Sequence, residues 1–108
     1  MIARPKNRYV LVEATAPLDV GDKVVSNKII SLLCAEIGAI GYVRGHPKVV
    51  CRAGERAFIV RVNRGYEGGI ALAFSFIKDL DGSPVGFFTL RTSGSLKKLV
   101  ELSRKAGL

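Results

Sequence analysis

The chain has few of the side chains that most often carry chemistry. Histidine occurs once, at His46, and cysteine twice, at Cys34 and Cys51. The two cysteines are far apart and His46 stands alone, so the spacing of a metal site is missing. Cys34 and Cys51 read as reduced, buried, small hydrophobes. His46, beside Pro47 and without a nearby carboxylate, reads as an exposed loop residue. Asp79 and Asp81 bracket a turn and could take a cation, but turn-forming carboxylates are commoner than ligands. Long apolar runs are missing as well. None approaches the roughly 20 residues that span a bilayer. The segment from Met1 to Arg8 is polar and basic with no apolar stretch behind it. No signal peptide is expected, and the expected location is the cytoplasm.

Acidic residues are the other shortage. Nine Asp and Glu face 17 Lys and Arg, a formal net charge of +8 on 108 residues. Such an excess on a small chain argues for a polyanionic partner; it speaks to association rather than to fold. The excess is uneven. Arg4, Lys6 and Arg8 precede the first acid, Glu13. Arg44, Lys48, Arg52, Arg56, Arg61 and Arg64 share their stretch with Glu55 alone. Arg91, Lys97, Lys98, Arg104 and Lys105 share theirs with Glu101 alone. A fold that brings these segments together would make one basic surface. The length suits one domain over residues 1–108, with apolar residues enough for a single core.

Tyr9-Val10-Leu11-Val12 marks a first strand from Arg8 to Ala14, broken by Pro17-Leu18-Asp19. Asp19 or Asp22 can cap the helix that follows, from Lys23 to Ile37. In it Val25, Ile29, Leu32, Leu33 and Ile37 share a face, and Gly38 and Gly41 end it. Pro47 to Arg52 and Arg56 to Arg64 read as two strands joined at Ala53-Gly54-Glu55. Tyr66, Ile70, Ala73, Phe74 and Ile77 trace a second helical face. Asp81-Gly82-Ser83-Pro84 is a turn. Val85 to Thr92 is a fourth strand, and Leu96, Leu99 and Val100 mark a last helix.

The order β-α-β-β-α-β is the split βαβ plan, ferredoxin-like and RRM-like. It predicts an α+β sandwich with a four-stranded antiparallel sheet, followed here by a C-terminal helix. The first and third strands sit in the middle. Two helices cover one face, and the other is open or partly covered. Arg8 and Arg61 then lie on neighbouring strands, and Arg61 and Asn63 share a face with Ile59. Many unrelated proteins use this plan, so function has to come from the site. A generic RRM-like RNA-binding module needs two or three exposed aromatics on its central strands. Tyr9 and Phe58 are the candidates, on separate strands, and both suit core packing. A small enzyme such as an acylphosphatase needs a glycine-rich, arginine-containing phosphate loop after the first strand, and Glu13 to Asp19 has no glycine. A small-molecule sensing domain would not need the basic excess.

The most informative stretch is Leu90-Arg91-Thr92-Ser93-Gly94-Ser95-Leu96-Lys97-Lys98, a strand running through a small polar turn into a basic helix. Ser93 or Ser95 can cap that helix, and Gly94 lets the backbone turn. Free N–H groups at a helix start suit a phosphate. Lys97 and Lys98 in the first turn have the wrong sign for the helix dipole, which invites an external anion. The alternative is a plain turn followed by a solvated basic face.

Three motifs together resemble the archaeal and eukaryotic ribonuclease P protein component 2 family. They are Lys6-Asn7-Arg8-Tyr9 opening the first strand, Ile59-Val60-Arg61-Val62-Asn63-Arg64 before the aromatic-bearing second helix, and Arg91 to Lys98 before the last. The likeness covers nearly the whole chain, and the serine-glycine-serine turn is its most specific mark. The chain lacks the long acidic tail of eukaryotic members and is similar to a compact archaeal one.

The resemblance implies a subunit of an endoribonuclease that hydrolyses a phosphodiester to remove the 5′ leader of precursor tRNA. It implies that the RNA subunit holds the active site and its Mg²⁺, with no cofactor on this chain and no catalytic residue in it. The implied partners are ribonuclease P RNA, protein component 3 and, indirectly, precursor tRNA. A dimer of the component 2–component 3 pair is a further option. On this reading Arg8, Arg61 and Arg64 contact RNA phosphates. Arg91, Lys97 and Lys98 hold another phosphate with the Ser93-Gly94-Ser95 backbone. Exposed apolar residues on the second helix or the last strand would mark the protein partner's docking site.

Overall fold

A computed structural model describes residues 7–18, 22–80 and 82–107, without the side chains of 22, 24, 25 and 39–43. The elements are β1 (Asn7–Ala14), α1 (Asp22–Gly45), β2 (Lys48–Arg52), β3 (Ala57–Asn63), α2 (Glu67–Phe76), β4 (Asp79–Leu80), β5 (Ser83–Pro84), β6 (Phe87–Ser93) and α3 (Leu96–Lys105). The main sheet has the order β2-β3-β1-β6 with antiparallel neighbours throughout. This is the expected split βαβ arrangement, with the first and third strands central. Arg4, Lys6, Asp19 and Asp81 lie outside the described residues.

Period-two alternation explains why the central strands are apolar almost without a break. On one face, Val10, Val12 and Ala14 of β1 and Phe58, Val60 and Val62 of β3 pack with Ile29, Leu33, Ile70 and Phe74 of α1 and α2. On the other, Leu11, Ala57 and Ile59 lie beneath Leu99 of α3. A strand covered on both sides needs apolar residues at both parities. Burying one such side chain fully contributes about 1.5–3 kcal/mol. Phe58, Phe74 and Phe87 form a ring cluster with centroids 5.7–5.8 Å apart. Edge-tilted pairs of this kind add about 0.5–1.5 kcal/mol beyond area burial. Phe58 is therefore a core residue, as the sequence suggests.

The structure corrects several local expectations. Gly38 does break the first helix, with φ 74° and ψ 173°. That left-handed φ is one a side-chain-bearing residue rarely adopts. No proline follows it before Pro47, so helix resumes and runs to Gly45, past Gly41. The turn at 81–84 is part of a small ribbon, in which Asp79 pairs with Pro84 and Leu80 with Ser83. An Asp79 carboxylate oxygen accepts the Gly82 N–H at 3.0 Å, so this carboxylate makes the turn. The last strand starts at Phe87 and carries a bulge, with Leu90 as the extra residue between Thr89 and Arg91. Cys34 and Cys51 are free but only half-buried. Partial burial pushes the Cys51 thiol pKa up, which lowers its reactivity.

Candidate nucleic-acid interface

β1 begins where β3 and β6 end, so three chain segments meet at one end of the sheet. The register places Asn7 opposite Asn63, and Tyr9 between Arg61 and Ser93. Lys48 of β2 lies on the far side of Arg61. Lys48, Arg61, Tyr9 and Ser93 therefore form a row across all four strands. By alternation the row shares the α3 face of the sheet with Leu11 and Ile59. Leu99 covers that apolar pair, and the mixed row lies one step further along the strands. Asn63 fixes this end to α1 by donating its side-chain N–H to the Arg44 carbonyl at 2.7 Å. The Glu67 carboxylate accepts the Gly65 N–H and holds the β3–α2 turn.

Two depressions open on this region. The first is a cleft of about 390 Å³ lined by Asn7, Arg8, Tyr9, Arg64 and Gly94. The Arg8 guanidinium comes close to Gly94: a Cβ there would lie 3.3 Å from Arg8 Nη1, a tight contact that a small shift of this flexible side chain would relieve. The second is a groove of about 370 Å³ between β6 and α3, lined by Arg91, Ser93, Lys98, Glu101 and Lys105 among others. Ser95, rather than Ser93, caps α3: its hydroxyl accepts the Lys98 N–H at 3.3 Å. Ser93 accepts the Ser95 N–H at 3.0 Å and so stiffens the turn. The turn thus satisfies two of its amides internally, leaving Leu96 and Lys97 as the first-turn amides without an intrahelical partner. The first turn of α3 carries no acid, and Arg104 and Lys105 sit in the last turn.

Arg8, Arg64 and Gly94 thus share the cleft, with Arg61 one strand away. Arg91, Ser93 and Lys98 share the groove. Lys97 is exposed and lines neither. Among the described residues, no ion pair or hydrogen bond engages the side chain of Arg8, Arg61, Arg64, Arg91, Lys97 or Lys98. Cationic groups left without internal partners are available to an external polyanion.

The basic segments do not all converge. Arg52 and Arg56 lie at the opposite end, beside the β2–β3 hairpin. The Arg52 guanidinium donates to the carbonyls of Leu18, Gly54 and Glu55 at 3.1–3.3 Å, so it clasps the fold. Asn7, Tyr9 and Lys48 also belong to the basic end, although sequence reading did not single them out as site residues. The signal that finds them is the register of the split plan, which aligns them with Arg61.

Among the described residues, no group of His, Cys, Asp and Glu could hold a metal ion, and no helix is long and apolar enough to cross a membrane. Large apolar side chains stay exposed at Leu72 and Phe76 of α2 and at Phe88 and Leu90 of β6.

Comparison with known proteins accords with this picture. A chain in a cryo-EM structure of yeast ribonuclease MRP matches the fold with a TM-score of 0.65 at 15% identity, covering 99% of this chain and 98% of that one. Ribonuclease P protein component 2 of Methanocorpusculum labreanum is 36% identical over 100 residues, covering 90% of this chain and 67% of that protein. The model of the Rpp14/Pop5 family matches residues 8–103, from Arg8 at the basic end to Ser103 in α3. On that match and that identity, the chain belongs to the Rpp14/Pop5 family.

Proposed function

We propose that this chain is a protein subunit of ribonuclease P and supports the RNA that removes the 5′ leader from precursor tRNA. The carrying observation is the end of the sheet where Arg8, Arg61 and Arg64 gather without ion-pair or side-chain hydrogen-bond partners among the described residues. Set against an RNA fold, these charges offset phosphate repulsion and favour the compact, cleavage-competent form. Each neutralised phosphate releases counterions, so affinity falls steeply with salt. Phosphate contacts position the protein and carry no sequence preference directly. Arg91 and Lys98, in the groove with Ser93, hold a further phosphate near the Gly94-Ser95 turn, and Lys97 adds its charge at the start of α3.

The chain works in the cytoplasm and binds no cofactor itself. Hydrolysis belongs to the RNA subunit and its Mg²⁺. Protein component 3 docks on the exposed apolar side chains of α2 and β6, Leu72, Phe76, Phe88 and Leu90. A dimer of the component 2–component 3 pair is a further option.

Reconstitution tests the proposal. Cleavage of precursor tRNA by cognate ribonuclease P RNA at moderate Mg²⁺ is measured with component 3 present, with and without this chain. Clear stimulation is expected. No stimulation would overturn the subunit reading, and cleavage by the chain alone would overturn the assignment of catalysis to the RNA.

A further inference from the structure

Building on the RNA reading above, we infer that the cleft at the basic end takes one unpaired ribonucleotide, its base stacked on Tyr9 and its phosphate held between Arg8 and Arg64. Phosphate neutralisation alone needs no aromatic ring. Tyr9 nevertheless lines the cleft, flanked in the cross-strand row by Arg61 and Ser93. Opposite residues in such a row have Cβ atoms about 4.5–5.5 Å apart, within reach of one ligand.

The ring is half-buried. One part packs against the cluster under α3, and the remainder lines the cleft. Leu99 covers Leu11 and Ile59, and Tyr9 lies at the margin of that cover. The side chains of Asn7 and Arg64 complete the cleft with amide and guanidinium donors. An aromatic, two guanidiniums and an amide in one cleft match a base, a phosphate and a base edge.

Duplex RNA does not offer a free base face, whereas unpaired nucleotides do. The unit differs from an RRM-like sheet, which stacks two or three bases. Phe58 is wholly buried, so this sheet has one platform on its two central strands.

The test uses the intact chain and two probes, a short single-stranded RNA and inorganic polyphosphate. The chain has no tryptophan, so a Tyr9→Trp variant carries a single indole reporter. Stacking predicts that the RNA quenches its fluorescence and polyphosphate does not. Tyr9→Leu, which keeps an apolar contact to the cluster, should weaken RNA binding about tenfold and leave polyphosphate binding within about twofold. Tyr9→Phe, which keeps the ring, should restore the RNA affinity. Equal quenching by both probes would overturn the inference. So would unchanged RNA affinity in Tyr9→Leu, and the RNA reading would then stand without it. Failure of the parent chain to bind either probe would overturn both.

Discussion

Replacing Arg8, Arg61 and Arg64 together by glutamine should flatten the salt dependence of RNA binding. Each phosphate contact contributes about 0.7 to the slope of log K against log salt for a single strand and about 0.9 for a duplex. Three contacts amount to about 2 to 2.7 units. Between 50 and 200 mM salt, the parent chain should therefore lose about 16- to 40-fold more affinity than the variant. The fold should survive. None of the three side chains is engaged by an ion pair or side-chain hydrogen bond among the described residues, and Arg64 is exposed. Substitutions at such positions usually stay within about 0.5 kcal/mol, with somewhat more at half-buried Arg8 and Arg61. The assay is fluorescence anisotropy with labelled ribonuclease P RNA over a salt series. Arg56→Gln, at the opposite end of β3, is the control and should leave the slope unchanged. A triple variant with the parent's slope would refute the reasoning and return the three arginines to a solvated face.

Other parts of the molecule give sharper or smaller effects. Lys97→Ala with Lys98→Ala should lower the slope by about one unit and by two at most, because Lys98 lines the groove and Lys97 does not; an unchanged slope would make both lysines solvent-facing only. Arg52→Ala should cost about 1–3 kcal/mol in thermal or urea unfolding, since it strips donors from the carbonyls of Leu18, Gly54 and Glu55. The same variant should leave the salt slope unchanged, separating a structural arginine from the binding ones. Ser95→Ala removes the α3 cap and should cost about 1 kcal/mol, read as a lower melting temperature. Burial shifts the Cys51 thiol pKa up, so in the folded chain it should react with iodoacetamide at pH 8 more slowly than once urea unfolds it. Its folded pKa lies above the unfolded one, so its contribution is full below the unfolded pKa and lost as pH rises through the folded value.

Much of the fold was legible because local rules and tertiary structure agree. The apolar run from Tyr9 to Val12, the hairpin at Ala53-Gly54-Glu55 and the spacing of Ile70, Ala73 and Phe74 each point to the element observed. What sequence alone missed depends on distance in space. Helix beyond Gly38 was hidden because glycine normally signals an end, and only the chain's continuation shows an interruption. The bulge at Leu90 shifts register by one residue and has no composition signature. Arg52 looks like the other basic residues, and only the three carbonyls it meets, one from the segment after β1 and two from the β2–β3 hairpin, reveal it as a clasp. Tyr9 read as a core residue because its strand is apolar. Its place at the margin of α3 follows from where that helix lies on the sheet. The position of Gly94 was legible, but its closeness to Arg8, at the other end of the chain, was not.

The central claim is that cations gathered at one end of the sheet assist an RNA whose own ions do the hydrolysis. The most direct measurement is the Mg²⁺ dependence of precursor tRNA cleavage by the reconstituted complex, with the parent chain or the Arg8, Arg61 and Arg64 glutamine variant. If the arginines offset phosphate charge, the variant should need more Mg²⁺ and should regain the parent's rate at high Mg²⁺. A rate that stays low at every Mg²⁺ concentration, or a dependence identical to the parent's, would contradict it.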